Sequence, residues 1–531
     1  MSIRNEERPL KRPVVAVTGA TGYIGRNLLE RLTAYADVIA LSRSGDERKN
    51  EPHVTWRSCD LFSLIDAERA LAGADYAVYL VHSMLPSAKL TQARFEDMDA
   101  LLADHFARAA SKNGVRQIVY LSGIVPADVP PDDLSRHLRS RLEVERILAS
   151  YSVPITTLRA GLIVGPEGSS FPILLKLVRR LPMMILPKWT RTRTHAIALP
   201  EVLDALTATI GREDVYRRAI DIGGPDVMTY KEMLSQTAET LGKKRFFIPF
   251  PAFSVYLSRL WLALITGTPK EMAYPLIESL VHPMVAREER RVPGIGMGVI
   301  PFRKAAEDAI ARERERESGG KAAKVRESGA GNRRSGNGRS GNGRSGNGGA
   351  GSKRFRSGSM HRAENRNNSG SGKAAPPDKS DVRSVQRLRL PAGMDAGAAA
   401  QAYLSWLNRA AGPLIRVSHD PNDIYRIRIA ERKAPLLELT YSEERSSPTR
   451  ALYYITGGSF SSRKVTHRGR LEFMQLPESD ACIVAIHDYL PSLPWFIYKY
   501  TQAKIHLWVM HAFRRHLEKQ VRSQGRHSID A

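Results

Sequence analysis

Cysteine is nearly missing: Cys59 and Cys482 are the only two in 531 residues. The two fall in segments that the sequence pattern assigns to different domains, which argues against a disulfide framework and for a reducing compartment. Long apolar runs are missing as well. The most apolar helical stretch, Ala252–Thr266, is shorter than the about 20 residues a membrane span requires and contains Arg259. A second, Trp495–Leu517, is interrupted by Lys499, Gln502, Lys504, His506 and His511. No transmembrane helix is expected. Met1–Arg12 is charged and lacks the apolar core of a secretory signal, so the expected location is cytoplasmic.

Acidic residues are in short supply, 55 against 80 Lys and Arg, which leaves a net charge of +25. Such a charge ordinarily points to nucleic acid or an anionic membrane. Its location decides otherwise. Residues 317–379 hold 14 Lys/Arg against 4 Asp/Glu, so about +10 sits in one low-complexity segment with SGNGR at 335–339 and 340–344. That composition buries too little apolar surface to offset ordering entropy, and a disordered basic linker over 317–380 is expected. Weak, nonspecific nucleic-acid contact is the partner this linker suggests.

The linker divides the chain into an N-terminal domain, 13–310, and a C-terminal domain, 381–525. The first alternates strand-like and helix-like runs, the signature of a doubly wound parallel sheet covered by helices, an α/β fold. Val14–Thr18, Asp37–Ser42, Tyr76–Val81, Gln117–Ser122 and Ile155–Arg159 read as strands, and Ile24–Ala34 and about Gln92–Lys112 as helices. The second domain reads as α+β. A strand at Val382–Leu390 and a helix at Ala396–Ala410 precede strands at 425–429, 436–441, 451–455, 470–475 and 481–487. One long helix, Trp495–Gln520, ends it.

Chemistry concentrates in Thr18-Gly19-Ala20-Thr21-Gly22-Tyr23-Ile24-Gly25, between a predicted strand and a predicted helix. Gly19 permits a sharp turn, Gly22 a close approach of backbone to a pyrophosphate, and Gly25 tight helix–strand packing. Phosphates would sit at the helix N-terminus, where unpaired N–H groups and the dipole favour an anion. The alternative is a glycine-rich turn with no ligand. Arg43 lies 24 residues after Gly19, where NAD-specific sites place an acidic residue on the ribose 2′-hydroxyl. An arginine suits a 2′-phosphate instead, so NADP(H) is expected with NAD(H) as the second choice; the alternative is a solvated surface arginine. No metal-ligand spacing emerges. His506 and His511 are five apart, and His487-Asp488 stands alone.

The glycine spacing, Arg43, Cys59-Asp60-Leu61 and Ile118-Val119-Tyr120-Leu121-Ser122 together resemble the short-chain dehydrogenase/reductase superfamily. The best match is its atypical and extended branch of NAD(P)H-binding, NmrA-like and epimerase-like proteins, over about residues 13–310. The turn Asp221-Ile222-Gly223-Gly224-Pro225 with Tyr230 resembles the substrate-side subdomain of extended members. The resemblance implies that Thr21, Tyr23 and Ile24 join the glycines in holding the cofactor. It also implies that Asp60 bonds the adenine amino group, beside Leu61, while Val81, His82 and Ser83 line the groove.

Active members of that superfamily carry Tyr-x-x-x-Lys on one helix face. Here His137 stands for the tyrosine and Arg141 for the lysine, at the same i, i+4 spacing. Ser122, fifteen residues before His137, matches the family's polar partner. Histidine donates a proton near neutral pH, with Glu143 or Glu145 available to offset Arg141, whereas arginine stays charged. Two readings follow. One is an NADPH-dependent reductase of a hydrophobic carbonyl or quinone-like substrate. The other is a non-catalytic redox sensor or assembly subunit, resembling the accessory short-chain subunit of respiratory complex I. On this second reading Ala252–Thr266 docks to a membrane or protein partner. The C-terminal domain resembles the helix-grip fold, which implies a hydrophobic ligand between sheet and terminal helix. Trp495, Tyr498, Trp508, Met510 and Phe513 are either its lining or plain core.

Overall fold

The computed structural model describes residues 12–83, 90–168, 170–250, 265–331 and 382–527, except 411, 430, 431, 433 and 462–468. The stretch Ala252–Thr266 therefore lies outside the described residues, apart from its last two. Seven parallel strands form the first sheet. They include β1 (Val14–Val17), β2 (Asp37–Ser42), β3 (Val54–Ser58), β4 (Tyr76–Tyr79), β6 (Gln117–Gly123) and β7 (Ile155–Ala160). The short β5 (Leu90–Gln92) belongs elsewhere. With Ala219–Ile222 at one edge, the order is that strand, then β7, β6, β4, β1, β2 and β3. Strand order therefore reverses between β1 and β4, where open parallel sheets leave a ligand crevice at their carboxyl ends.

Helices α1 (Tyr23–Leu32), α2 (Leu64–Ala70), α3 (Phe95–Lys112) and α4 (Arg136–Ala149) cover the two faces. Both layers are built on continuous apolar strands such as Val15–Val17 and Ile118–Leu121, which are buried on both sides. β3 was not expected. Its five residues VTWRS bury only Val54 fully, so the edge strand gives no apolar run to read. A smaller layer follows, with a three-stranded sheet and a core around Phe171, Leu174, Trp189, Met233 and Ile277.

The expected linker, 317–380, begins within a helix. The helix beginning at Phe302 runs on to Gly331. Its Arg, Lys, Glu and Ala residues are strong helix formers, and Lys304–Asp308 and Arg303–Glu307 pair one turn apart at 2.8 and 3.7 Å. Residues 332–381 lie outside the described residues.

The C-terminal unit has its own antiparallel sheet, Val382–Arg389 and six strands between Ile415 and Tyr489. Ile415–His419 is an addition to the expected set. The terminal helix is two, Trp495–Tyr500 and Gln502–His527, broken at Thr501 where φ is −118° and ψ −86°. Tyr498, Met510 and Phe513 are core, and Trp508 is 65% exposed. Tyr403 meets Phe513 and Phe473 with ring centroids 5.2 and 5.8 Å apart, which fills the space between sheet and helix. Both cysteines are buried free thiols.

The two units share one core. Strand Val382–Arg389 pairs in parallel with β5, and Val385, Met474, Ile483 and Ala485 pack in the same cluster as Leu101 and Phe106 of α3. That helix is consequently covered on both sides. Its polar residues are answered across the junction: Arg387 donates to Asp97 at 2.7 Å and to Glu143 at 2.7 and 2.8 Å. The fully buried His105 reaches the carbonyl of Leu61 at 2.9 Å and Glu472 at 3.1 Å. Arg450 and His487 complete the ring of Glu472 partners, at 2.5 and 3.1 Å. Burial opposes the charge on Glu472, but Arg450 and His105 hold its carboxyl well below the usual range.

Candidate dinucleotide and proton-transfer site

The groove at the switch point is built from its glycines upward. Gly19 takes φ +65°, the left-handed turn that takes the chain off β1. A Cβ at Gly25 would lie 2.2 Å from the Gly19 carbonyl oxygen, and one at Gly22 would lie 3.0 Å from it. Only bare backbone fits there. Gly22 caps α1 with no side-chain hydrogen bond, so the helix presents its amide end to the groove. These are the features that a pyrophosphate between two nucleosides requires.

All fourteen expected site residues line this groove. Thr21, Arg43, Asp60, Leu61 and Val81 lie along one half. Gly22, Tyr23, Ile24, Gly25, Ser122, His137 and Arg141 lie along the other, with Gly19 and His82 common to both. Arg43 is exposed, on the loop after β2. Asp60 accepts from the Phe62 amide at 3.1 Å and forms an ion pair with Arg383 of the C-terminal unit. Its carboxylate is thus engaged before any adenine arrives.

The second half is more buried. Ser135 caps α4, accepting from the Leu138 amide at 3.2 Å, and fixes His137 and Arg141 one turn apart. Arg141 donates to the Tyr120 hydroxyl at 3.3 Å. His137 Nδ1 lies 3.2 Å from the Ser279 hydroxyl. Burial, then His82 and Arg141, hold the His137 imidazole well below its ordinary pKa. Neither glutamate offsets this: Glu143 binds Arg387, and Glu145 binds Arg159 at 2.7 and 3.1 Å. His137 is therefore held toward its neutral form beside Arg141.

Asp99 was missed by sequence reasoning. It sits on α3 and contacts His82 Nδ1 at 2.6 Å, the Ser83 amide at 2.7 Å and the Ser140 hydroxyl at 3.3 Å. Burial opposes its charge, yet His82, Arg141 and the Ser83 amide hold it below the usual carboxylate range. The His82 ring lies 5.3 Å from that of His137, centroid to centroid. Its Nε2 is buried and has no hydrogen-bond partner among the described residues. An oriented imidazole with one nitrogen left for a ligand is a proton-transfer arrangement. The available signal was weak: acidic residues inside the otherwise apolar run of α3.

Past His137 the groove opens into an apolar pocket. Gly123, Ala160, Gly161, His137 and Leu276 border both spaces, and Leu138, Ile173, Leu174 and Trp189 line the pocket beyond. Among the described residues no cluster of His, Cys, Asp or Glu could hold a metal, and no helix is long and apolar enough to cross a membrane.

Residues 19–171 match the family model described as NAD(P)H-binding. This segment is therefore similar to NAD(P)H-binding domains. The auxiliary protein GraX of Staphylococcus aureus is 32% identical over 149 residues, 28% of this chain and 43% of that protein. The chain thus spans less than half of that relative. UDP-glucose 4-epimerase of Vibrio cholerae is 21% identical over 261 residues, 45% of this chain and 78% of that enzyme. Triphenylmethane reductase of Citrobacter sp., solved with NADP(H), is 16% identical at a TM-score of 0.44, covering 56% of this chain and 99% of that one. The family match ends at residue 171, well before the C-terminal sheet begins at Val382.

Proposed function

We propose that the chain is an NADP(H)-dependent reductase of an apolar carbonyl or quinone-like compound. The observation that carries this reading is continuity: the dinucleotide groove ends at His82 and His137 and opens there into a pocket walled by leucines, isoleucine and tryptophan. Apolar walls with few polar groups select a hydrophobic substrate and keep water from the reacting atoms. NADP(H) is favoured over NAD(H) because Arg43 stands after the second strand, where NAD-specific sites carry an acidic residue.

Bound NADPH supplies the hydride. Asp99 receives the Nδ1 hydrogen of His82, so His82 exchanges its proton at Nε2, and the imidazolium form donates it to the oxygen gaining negative charge. Burial and Arg141 lower the His82 pKa, against the pull of Asp99, so the donating form fills as pH falls. Arg141 would serve the ribose hydroxyls, which need a charged donor but no proton transfer. His137 walls the passage between groove and pocket.

A second reading, a dinucleotide-binding sensor, draws support from the neutral His137 where active relatives carry tyrosine. Steady NADPH oxidation with a panel of quinones and apolar aldehydes separates the two. Turnover with any of them is the expected result. Tight NADPH binding with no turnover across the panel would overturn the reductase reading in favour of the sensor.

A further inference from the structure

Arg383 belongs to the C-terminal sheet, yet it forms part of the wall of the adenosine half of the groove, with Thr18, Gly19, Arg43, Asp60 and Val81. It is 3% exposed. Parallel pairing with β5 sets its position, Arg383 opposite Thr91. Asp60 holds one edge of the guanidinium by an ion pair, and its central carbon stands 4.1 Å from the centroid of the Phe62 ring. Arg470, from the same sheet, donates to the Ser63 hydroxyl at 3.1 Å. Two arginines of the C-terminal unit thus seat the loop 60–63 that floors this half of the groove.

The two groove arginines differ physically. Arg43 is exposed, and an exposed cation makes salt-screened contacts at a cost in side-chain entropy. Arg383 is already immobilised by a carboxylate and an aromatic ring, so a ligand meeting it orders little more. A planar, fixed guanidinium suits the edge of an adenine or a phosphate oxygen.

We infer that Arg383 is a dinucleotide-binding residue, and that the C-terminal unit completes the adenosine end of the cofactor site. This rests on the reading above of the Arg43 end as the adenosine end. Linkage is reciprocal: a ligand that touches both units tightens the seating of one on the other by the factor it gains from their being seated.

The test uses full-length protein, with adenosine 2′,5′-bisphosphate and 5′-AMP as probes. Calorimetric affinities are compared for wild type, Arg43→Ala, Arg383→Ala and Arg383→Lys. Arg383→Ala should bind the bisphosphate at least tenfold more weakly, with partial recovery in Arg383→Lys. Amide exchange in Val382–Arg389 of wild type should slow when the bisphosphate saturates, a readout that needs no variant to fold. Equal affinity of wild type and Arg383→Ala, or exchange indifferent to the ligand, overturns the inference. The NADP(H) reading is judged separately. Wild type that binds 5′-AMP as tightly as the bisphosphate overturns that reading, and the comparison of wild type with Arg383→Ala on 5′-AMP then still decides the role of Arg383.

Discussion

The adenosine end of the groove draws its charged side chains from far apart: Arg43 on one loop, Asp60 on another, and Arg383 323 positions beyond Asp60. The nicotinamide end draws His82, Asp99, Ser122, His137 and Arg141 from adjoining elements of one Rossmann unit, and it buries them. Exposure of Arg43 at the first end makes its contact electrostatic, long in range and sensitive to salt. Desolvation at the second makes its contacts short, and sensitive to protons. Binding and chemistry should therefore separate cleanly on mutation.

The largest effect is expected at the buried end. His82→Ala should lower reductase turnover by ~10²–10⁴ while leaving NADPH affinity within a few-fold, because the phosphates bind elsewhere. Turnover in wild type should fall as pH rises through the His82 pKa, which lies below the ordinary imidazole value. If His137→Ala loses more turnover than His82→Ala does, the roles assigned to the two rings are reversed.

A smaller effect belongs to the exposed end. Arg43→Ala should weaken NADPH about tenfold or more, the cost of losing one charge-assisted contact of ~1.5–3 kcal/mol. NADH affinity should hardly change, and raising salt should narrow the gap between the two cofactors. Equal wild-type affinity for both would remove Arg43 from the site.

The smallest concerns stability. Burial lowers the pKa of His82, His137 and His487, and that of His506 to about 4. The unfolded chain takes up these protons near pH 6.5, before the folded one does, so stability is full above that pH and declines below it. Urea midpoints should therefore be lower at pH 5 than at pH 7.5. A higher midpoint at pH 5 would show that the buried imidazoles are not the controlling groups.

What the sequence made legible was local. Gly19, Gly22 and Gly25 declare themselves because a turn, a close approach and a packing contact all fall within seven residues. His137 and Arg141 are legible because a helix repeats every 3.6 residues. Asp99 and Arg383 are not, since each matters through a partner that only the fold brings near: Asp99 through His82, 17 positions away, and Arg383 through Asp60. The break at Thr501 escaped for a related reason, as no proline or glycine marks it. The shared core escaped as well, because α3 reads as an ordinary amphipathic helix until a second sheet is seen on its outer face.

That doubly covered helix also sets a timetable for synthesis. His105 is translated 367 positions before Glu472. At bacterial-to-eukaryotic elongation rates of roughly 5–20 residues per second, the delay is about 20–70 s. Throughout it, one side of α3 must wait in solvent or against a chaperone, with Asp97 and His105 unanswered. A chain cut short in that interval would carry the phosphate loop but display an apolar helix face, the feature by which quality-control proteases recognise incomplete products.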